Sequence, residues 1–322
     1  MMFKPRISIR DMLLQLLMLS SLCAAPFLPA AAAEPSSGIP SANLHSRSEA
    51  SAPLSAVEQQ ARAWAAQLSD QKPFASWKQA KLYVQALGPG THGWLATLKT
   101  VDGRIVGYMV VLADKDGTLR LGEYGVGPSV LYDPAKLDQT LQENGLIGAS
   151  QQTAYRAVKY YAHPFAALWQ VSIASATYWV DAKTSEIIPL KADSWEQILP
   201  QMSAPRHTAS DSAHGSDEAP AAFDGKIEAC RIGETFDAYE SLPWLTGKTP
   251  LSLQDQEKVQ HRLRSSLHLR YVSEPYGDAA LYAVPVIGYV STSDGRLDLA
   301  VDMAGTRFIP LETLKQHGLF YD

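Results

Sequence analysis

Cys230 is the residue whose chemistry is easiest to name in this sequence, because a thiolate is a strong nucleophile. For catalysis it would need a lowered thiol pKa and a neighbouring base. Its flanks read KIEACRIG, which is typical of the edge of a strand and includes no helix N-terminus that would favour a thiolate. We interpret Cys230 as a small buried side chain and keep an unrecognised hydrolase using Cys230 as an alternative.

A second candidate is the loop 88–94, which reads GPGTHGW. Its glycines and proline favour a tight turn that presents His92 beside Trp94. Loops that carry an exposed aromatic residue often bind ligands, so His92 and Trp94 form a possible binding loop. A tryptophan that follows a tight turn is also a common core residue, and the sequence leaves both interpretations open.

Common catalytic signatures are missing from the sequence. It contains no Gly-x-Ser-x-Gly motif, no His-Glu-x-x-His motif and no phosphate-binding loop with its lysine. We therefore name no catalytic, cofactor-binding or metal-binding residues and expect a protein that is not an enzyme.

The N-terminus resembles a secretory signal. Three basic residues lie in the first ten, an apolar run covers Met12–Leu28, and four alanines end at Ala33. A basic start, an apolar middle and a small-residue end are typical of a cleaved signal peptide. We predict a signal peptide over residues 1–33, cleavage near Ala33, a secreted or extracellular protein, and no transmembrane segment in the mature chain.

Charge limits the classes of partner. Residues 1–33 hold three basic residues and one acidic residue, so their removal changes the net charge from −5 to −7. No basic cluster stands out along the chain, which argues against nucleic acid as a partner. One cysteine remains after cleavage, so the fold must depend on its apolar core and not on an internal disulfide.

Composition divides the mature chain. Residues 34–53 and 201–224 are rich in Ser, Ala and Pro or in small polar residues, and such segments bury too little surface to offset chain entropy. We predict that the first is disordered and that the second is a disordered linker. Between and after them lie two ordered regions, 54–200 and 225–322.

Both regions show helix and strand patterns. A capping box at Ser55 precedes a helical apolar face, and four strands follow between Leu82 and Tyr124, with Asp-Gly turns that suit hairpins. We expect a further helix over Gln152–Tyr161. The string VDAKTSEIIPL at 180–190 is nearly repeated as VDMAGTRFIPL at 301–311, which favours a duplicated closing hairpin.

The stretch WQVSIASATYWVDAKTSEIIPL, residues 169–190, resembles the end of a PepSY domain, with a possible second copy near 301–311. Ser185 stands where that family usually has Gly, so the turn differs. The stretch GYMVVLADKDGTLRLGEYG, residues 107–125, is similar to the cystatin-like prodomains of secreted cysteine peptidases. These resemblances imply a small α+β, cystatin-like unit. With the repeated string and the linker, we predict an α+β fold of repeated helix-plus-antiparallel-meander units in two regions joined by a flexible linker.

PepSY domains occur in secreted and membrane-bound bacterial proteins, including protease propeptides, and a role in restraining peptidases has been proposed for them. The resemblance therefore implies a non-catalytic binding or inhibitory module. Its expected partner is an extracellular or envelope protein, with a peptidase as one candidate. The alternative to a protein partner is a cell wall or polysaccharide, which the chain's seven Trp and fourteen Tyr would permit.

Overall fold

The computed structural model of the chain describes residues 53–89, 91–148, 154–190, 222–253, 256–265 and 268–322. Its α-helices are α1 Leu54–Ser69, α2 Pro134–Glu143, α3 Gln256–Arg264 and α4 Leu311–His317, with 3-10 helices over Lys72–Gln79 and Gly277–Ala279. The strands of the first half are β1 Lys81–Ala86, β2 Gly93–Lys99, β3 Ile105–Ala113, β4 Leu119–Val126, β5 Arg156–His163, β6 Ala166–Ile173, β7 Ala176–Asp181 and β8 Ile187–Ile188. The later strands are β9 Ile227–Ile232, β10 Arg270–Ser273, β11 Tyr282–Thr292, β12 Leu297–Asp302, β13 Thr306–Pro310 and β14 Leu319–Tyr321.

One ten-stranded antiparallel sheet contains strands from both ends of the described chain. Its order is β1-β2-β3-β4-β13-β12-β11-β10-β14. The tenth strand, β9, lies outside this order and pairs with β11 between Gly288 and Thr292. The two halves meet where β4 pairs with β13, with Arg307 opposite Gly125 and Phe308 opposite Tyr124. The large sheet is therefore built from an N-terminal meander and a C-terminal group of strands that join edge to edge.

A four-stranded sheet, β5-β6-β7-β8, packs against this large sheet. From one of its faces, Trp169 and Val171 join a core cluster that also contains β3 and α2 residues. From its other face, Leu168 and Trp179 join a cluster with residues of β10 to β13. The small sheet thus buries its two faces against different halves of the large one.

Helix α1 and the 3-10 helix Lys72–Gln79 cover the remaining apolar face of the large sheet. The apolar residues of α1 recur at helical spacing, as expected for a helix that buries one side. The Tyr124 and Phe308 rings stack with centroids 5.0 Å apart, so an aromatic contact crosses the junction of β4 and β13 on this face.

The predicted fold class, an α+β fold of repeated helix-plus-meander units in two regions, is wrong. The described chain is mostly antiparallel sheet with few helices, and strands from both predicted regions pair in a single sheet. The helix expected over Gln152–Tyr161 is also wrong where the structure describes it, because Arg156–His163 forms β5. Both faces of the small sheet are covered, so β5 lacks the strict apolar–polar alternation of a half-exposed strand.

The two similar strings, 180–190 and 301–311, each form a hairpin, as β7–β8 and β12–β13. Their turns differ, because Ser185 has the positive φ in the first, whereas Ala304 and Gly305 have it in the second. The glycines of the predicted Asp-Gly turns, Gly103 and Gly117, have φ of 87° and 86°. Only the hairpin is thus common to the two strings, and their common origin stays a prediction.

Several predictions lie outside the described residues. They are the signal peptide 1–33, the segment 34–53 and most of the linker, 201–221. The boundaries of the two predicted regions therefore stay predictions. No helix among the described residues is long and apolar enough to cross a membrane.

Candidate functional site

The predicted loop residues, His92 and Trp94, are placed in different environments. Trp94 lies in β2 and belongs to the core under α1, whereas His92 is exposed. The His92 carbonyl accepts a hydrogen bond from Ala113 N–H at 2.8 Å, which ties the loop to β3. The glycine spacing of residues 88–93 matches that of dinucleotide-binding loops, but β2 follows instead of a helix. Trp94 therefore packs in the core. Ligand binding by this loop through His92 and Trp94 stays a prediction.

Cys230 lies on β9 opposite Val290 and packs beside the core under α1. Burial raises the pKa of the thiol to about 11. A nucleophilic cysteine needs the opposite shift, because the thiolate and not the thiol attacks. The environment of Cys230 therefore does not supply an activated nucleophile.

A fully buried ion pair lies at the junction of β4 and β13. The Arg307 guanidinium donates to Glu123 Oε2 from Nη2 at 2.6 Å and from Nε at 3.1 Å, and both side chains are fully buried. Nη2 also donates to the carbonyl oxygen of Pro164, in the turn between β5 and β6, at 2.6 Å. This pair joins both halves of the large sheet to the small sheet, and its burial leaves no path for a substrate.

A buried lysine lies beside this pair. Lys183 Nζ donates to the Ser129 carbonyl at 2.7 Å and lies 5.3 Å from the centre of the Tyr108 ring. Burial, and then the positive charge of Arg307, lower the pKa of Lys183 to about 7. Perturbed lysines occur at active sites, but they also occur in structural networks. Because Lys183 is buried among structural partners, we assign it to the core.

The described structure has an open groove of about 810 Å³ at one end of β3 and β4. Its lining is Pro73, Ser76, Gly103, Arg104, Ile105, Val106, Val126, Gly127 and Pro128. None of these residues is aromatic, so the groove lacks the stacking platform that sugars usually require. No group of three or more His, Cys, Asp or Glu that could hold a metal ion occurs among the described residues.

An exposed apolar surface lies on residues 236–248, which connect β9 to the region of α3; we call it the 236–248 segment. Tyr239, Leu242 and Leu245 have exposed fractions of 49%, 37% and 71%. They account for half of the large hydrophobic side chains that are exposed in the described chain. Isolated exposed leucines need no explanation, but a concentration within seven residues marks a candidate interaction site.

Several contacts fix this surface to the sheet. Trp244 packs edge-on against Tyr239 and Tyr321, with ring centroids 5.8 Å and 6.4 Å away. The Arg270 Nε atom donates to the Ala238 carbonyl at 3.1 Å, and Leu245 N–H donates to the Leu242 carbonyl at 2.9 Å. The exposed side chains thus extend from a turn that is anchored on both sides.

The backbone of this turn is strained. Ser241 and Leu242 have φ of 65° and 38°, in the left-handed region that side-chain-bearing residues rarely adopt. Each such residue costs about 1–2 kcal/mol and persists where the surrounding contacts impose it. Leu242 thus has a backbone conformation that glycine would adopt with less strain.

The exposed charges within residues 234–248 are mainly negative. Glu234, Asp237 and Glu240 are exposed there, against one exposed lysine, Lys248. A partner surface that complements them would be apolar at its centre and basic at its rim.

The sequence analysis does not predict this site, because residues 236–248 contain no catalytic motif and no sustained helix or strand period. The available signal was the placement of Tyr239, Leu242 and Leu245 at every third position of YESLPWL.

No protein-family model, no curated protein and no solved structure matches this chain.

Proposed function

We propose that this chain is a secreted, non-catalytic module that binds an extracellular or envelope protein through the 236–248 segment. The observation that carries the proposal is the exposed cluster of Tyr239, Leu242 and Leu245 on an anchored, strained turn. Apolar side chains held rigidly at the surface bind with little loss of conformational entropy. They therefore suit the centre of a protein interface, where a few large residues supply most of the affinity.

The expected partner is a folded protein with an apolar cleft bordered by Lys or Arg. This chemistry follows from the leucines and from the exposed carboxylates of Glu234, Asp237 and Glu240. A secreted peptidase is one candidate, and binding at its substrate cleft would make the module an inhibitor. The raised thiol pKa of Cys230 supports the non-catalytic part of the proposal.

Affinity capture with matched variants tests the proposal. The bait is the secreted chain, exposed to the source organism's culture supernatant and solubilised envelope, and the retained proteins are identified by mass spectrometry. The variant Leu242→Asp/Leu245→Asp places charge at the centre of the proposed interface. The control Val101→Asp changes a residue that is 77% exposed in the β2–β3 turn.

We expect one protein to be retained by the wild type and by Val101→Asp but lost with the double variant. Its purified form should then bind the wild type at least a hundredfold more tightly than the double variant, since two central anchors together contribute roughly 3 kcal/mol or more. Retention that is equal for all three baits, or the absence of any retained protein, would contradict the proposal.

A further inference from the structure

The strand β1 forms one edge of the large sheet. Among the described residues it pairs only with β2, in an unbroken register from Lys81 opposite Lys99 to Ala86 opposite Trp94. It has six residues and contains neither proline nor a bulge. An edge of this kind carries a row of backbone groups that can pair with another strand.

The direction of these backbone groups follows from one hydrogen bond. Leu87 N–H donates to the Gly93 carbonyl at 3.0 Å, so the N–H of residue 87 points towards β2. Successive N–H groups of a strand point to opposite sides. The N–H and carbonyl groups of Leu82, Val84 and Ala86 therefore point away from the sheet, where an incoming strand would meet them.

One face of this edge carries two cationic side chains. Lys81 lies directly opposite Lys99, and the Lys99 ammonium lies 5.2 Å from the centre of the Tyr83 ring. Like charges opposite each other on neighbouring strands destabilise a sheet. Among the described residues neither lysine forms an ion pair, so no carboxylate of the described chain offsets these two like charges.

We propose that β1 binds an extended acidic segment of another protein, which adds to the sheet as a further strand. The backbone of that segment would pair with the outward groups of Leu82, Val84 and Ala86. Its carboxylates would lie beside Lys81 and Lys99, and Tyr83, which is 52% exposed, would supply an apolar contact. This mode of recognition combines main-chain hydrogen bonds for affinity with side chains for specificity.

Two other uses of the edge are less well matched to these residues. A second copy of the chain pairing through β1 would bring two further lysines to the same face, because KLYVQA contains no acidic residue. Lysines on an edge can also serve only to prevent association. One lysine on the edge strand, Lys81, is enough to prevent association. A protective role therefore does not explain why a second lysine, Lys99, lies opposite it on β2.

The probe is a fluorescent ten-residue peptide of alternating Glu and Val, titrated against the full secreted chain and followed by anisotropy. Two control peptides separate the parts of the proposal. The first control alternates Lys and Val and tests the requirement for negative charge. The second is the Glu–Val peptide with N-methyl groups on alternate amides, which removes the hydrogen-bond donors along one edge. We expect binding of the unmodified Glu–Val peptide alone, with an affinity that falls as salt is added.

Two variants locate the site. Lys81→Glu should weaken binding of the acidic peptide by about fivefold, the upper range for one cross-strand charge pair. Its control is Lys115→Glu, which makes the same charge change at an exposed residue of the β3–β4 turn. Ala86→Pro removes one outward N–H from an exposed position and should weaken binding by up to about tenfold. Its control, Ala86→Ser, keeps the N–H.

Circular dichroism of each variant checks that the sheet is intact. Equal binding of the acidic and basic peptides, or equal effects of Lys81→Glu and Lys115→Glu, would overturn the proposal. If Lys81→Glu instead leaves binding unchanged and causes the chain to self-associate in sedimentation experiments, the lysine is only protective. Because different variants test β1 and the 236–248 segment, a negative result for one proposed site does not contradict the other.

Discussion

At the scale of single residues, Glu123 and Arg307 form a buried ion pair where the two halves of the large sheet join. Both are fully buried, and Arg307 also binds the Pro164 carbonyl of the small sheet. Removing one member of a buried ion pair leaves the other charge without compensation in a medium that solvates it poorly.

We predict that Arg307→Met lowers the free energy of unfolding by roughly 3–5 kcal/mol. The double variant Glu123→Leu/Arg307→Met should be less destabilised than Arg307→Met alone, because it leaves neither Glu123 nor Arg307 as an unpaired buried charge. Urea unfolding of both variants measures the difference. A double variant that is less stable than the single one would contradict the view that unpaired Glu123 causes the loss of stability.

Lys183 predicts a pH dependence of stability. Its pKa is about 7 in the folded chain, below the usual value for lysine, because burial and then Arg307 disfavour the charged form. Above pH 7 the unfolded chain therefore holds a proton that the folded chain has lost, and stability rises with pH in that range. The other charged groups around Lys183 are Glu123, Lys136 and Asp181.

We expect the free energy of unfolding to increase between pH 7 and about 8. Nearer pH 8.5 the cysteine thiol ionises in the unfolded chain but not in the folded one, which opposes the increase. Lys183→Met should remove this increase, and Lys115→Glu, at an exposed position, should keep it. Urea unfolding at several pH values gives the slope. A flat profile in the wild type would mean that Lys183 keeps its charge in the folded state.

These buried charges could not be found from the sequence. Arg307 lies in TRFIPL and Glu123 in LGEYG, and nothing in either string shows that the two residues face each other. They are 184 positions apart, and only the pairing of β4 with β13 brings them together. Local sequence pattern gives the type of an element, but it gives no information on such a distant partner.

At the scale of elements, the strands with clear turn signals were predicted best. Turn residues flank β3, Ile105–Ala113, and β12, Leu297–Asp302, so the sequence indicates where both strands begin and end. A proline within a strand usually marks an edge strand or a broken one, and β11 contains Pro285. In the structure β11 lies inside the sheet, and Pro285 lies just beyond the last residue that pairs with β12, Val286. The ring therefore costs no hydrogen bond to β12.

The attachment of β9 depends on a close approach at Gly288. A Cβ atom there would lie 2.0 Å from the backbone oxygen of Arg231, so β9 and β11 would have to separate. We predict that Gly288→Ala lowers stability by roughly 1–3 kcal/mol, in the range for overpacked sites.

The control for this prediction is Gly122→Ala, in β4. A Cβ there would meet the end of the flexible Leu112 side chain at 2.9 Å, which can move aside. Thermal unfolding should therefore show a much smaller loss for Gly122→Ala, and proteolysis should increase near β9 only in Gly288→Ala. Equal losses in the two variants would refute the assigned role of Gly288.

At the scale of the whole molecule, the arrangement differs from the one that the similar strings at 180–190 and 301–311 indicated. Each string forms a hairpin, but the first belongs to the small sheet and the second to the large sheet. Edge-to-edge joining of two groups of strands was not predictable, because the β4–β13 pairing covers only two residue pairs. The helix-plus-meander expectation therefore identified many strands but not the sheets to which they belong.

The proposed binding surfaces occupy different parts of this architecture. The 236–248 segment offers leucines with acidic neighbours, whereas β1 offers backbone groups with basic neighbours. The two surfaces would therefore take partner surfaces of opposite charge. Neither site has a signature among catalytic or cofactor motifs, since both depend on exposure and on sheet position.

The most direct test of the central claim is photocrosslinking from the 236–248 segment. A benzophenone amino acid placed at Leu242, and separately at Val101, would be illuminated in the culture supernatant and solubilised envelope of the source organism. We expect a discrete crosslinked protein from position 242 and none from position 101. If position 242 gives no adduct, or if both positions give the same set of adducts, the 236–248 segment is not a specific protein-binding surface.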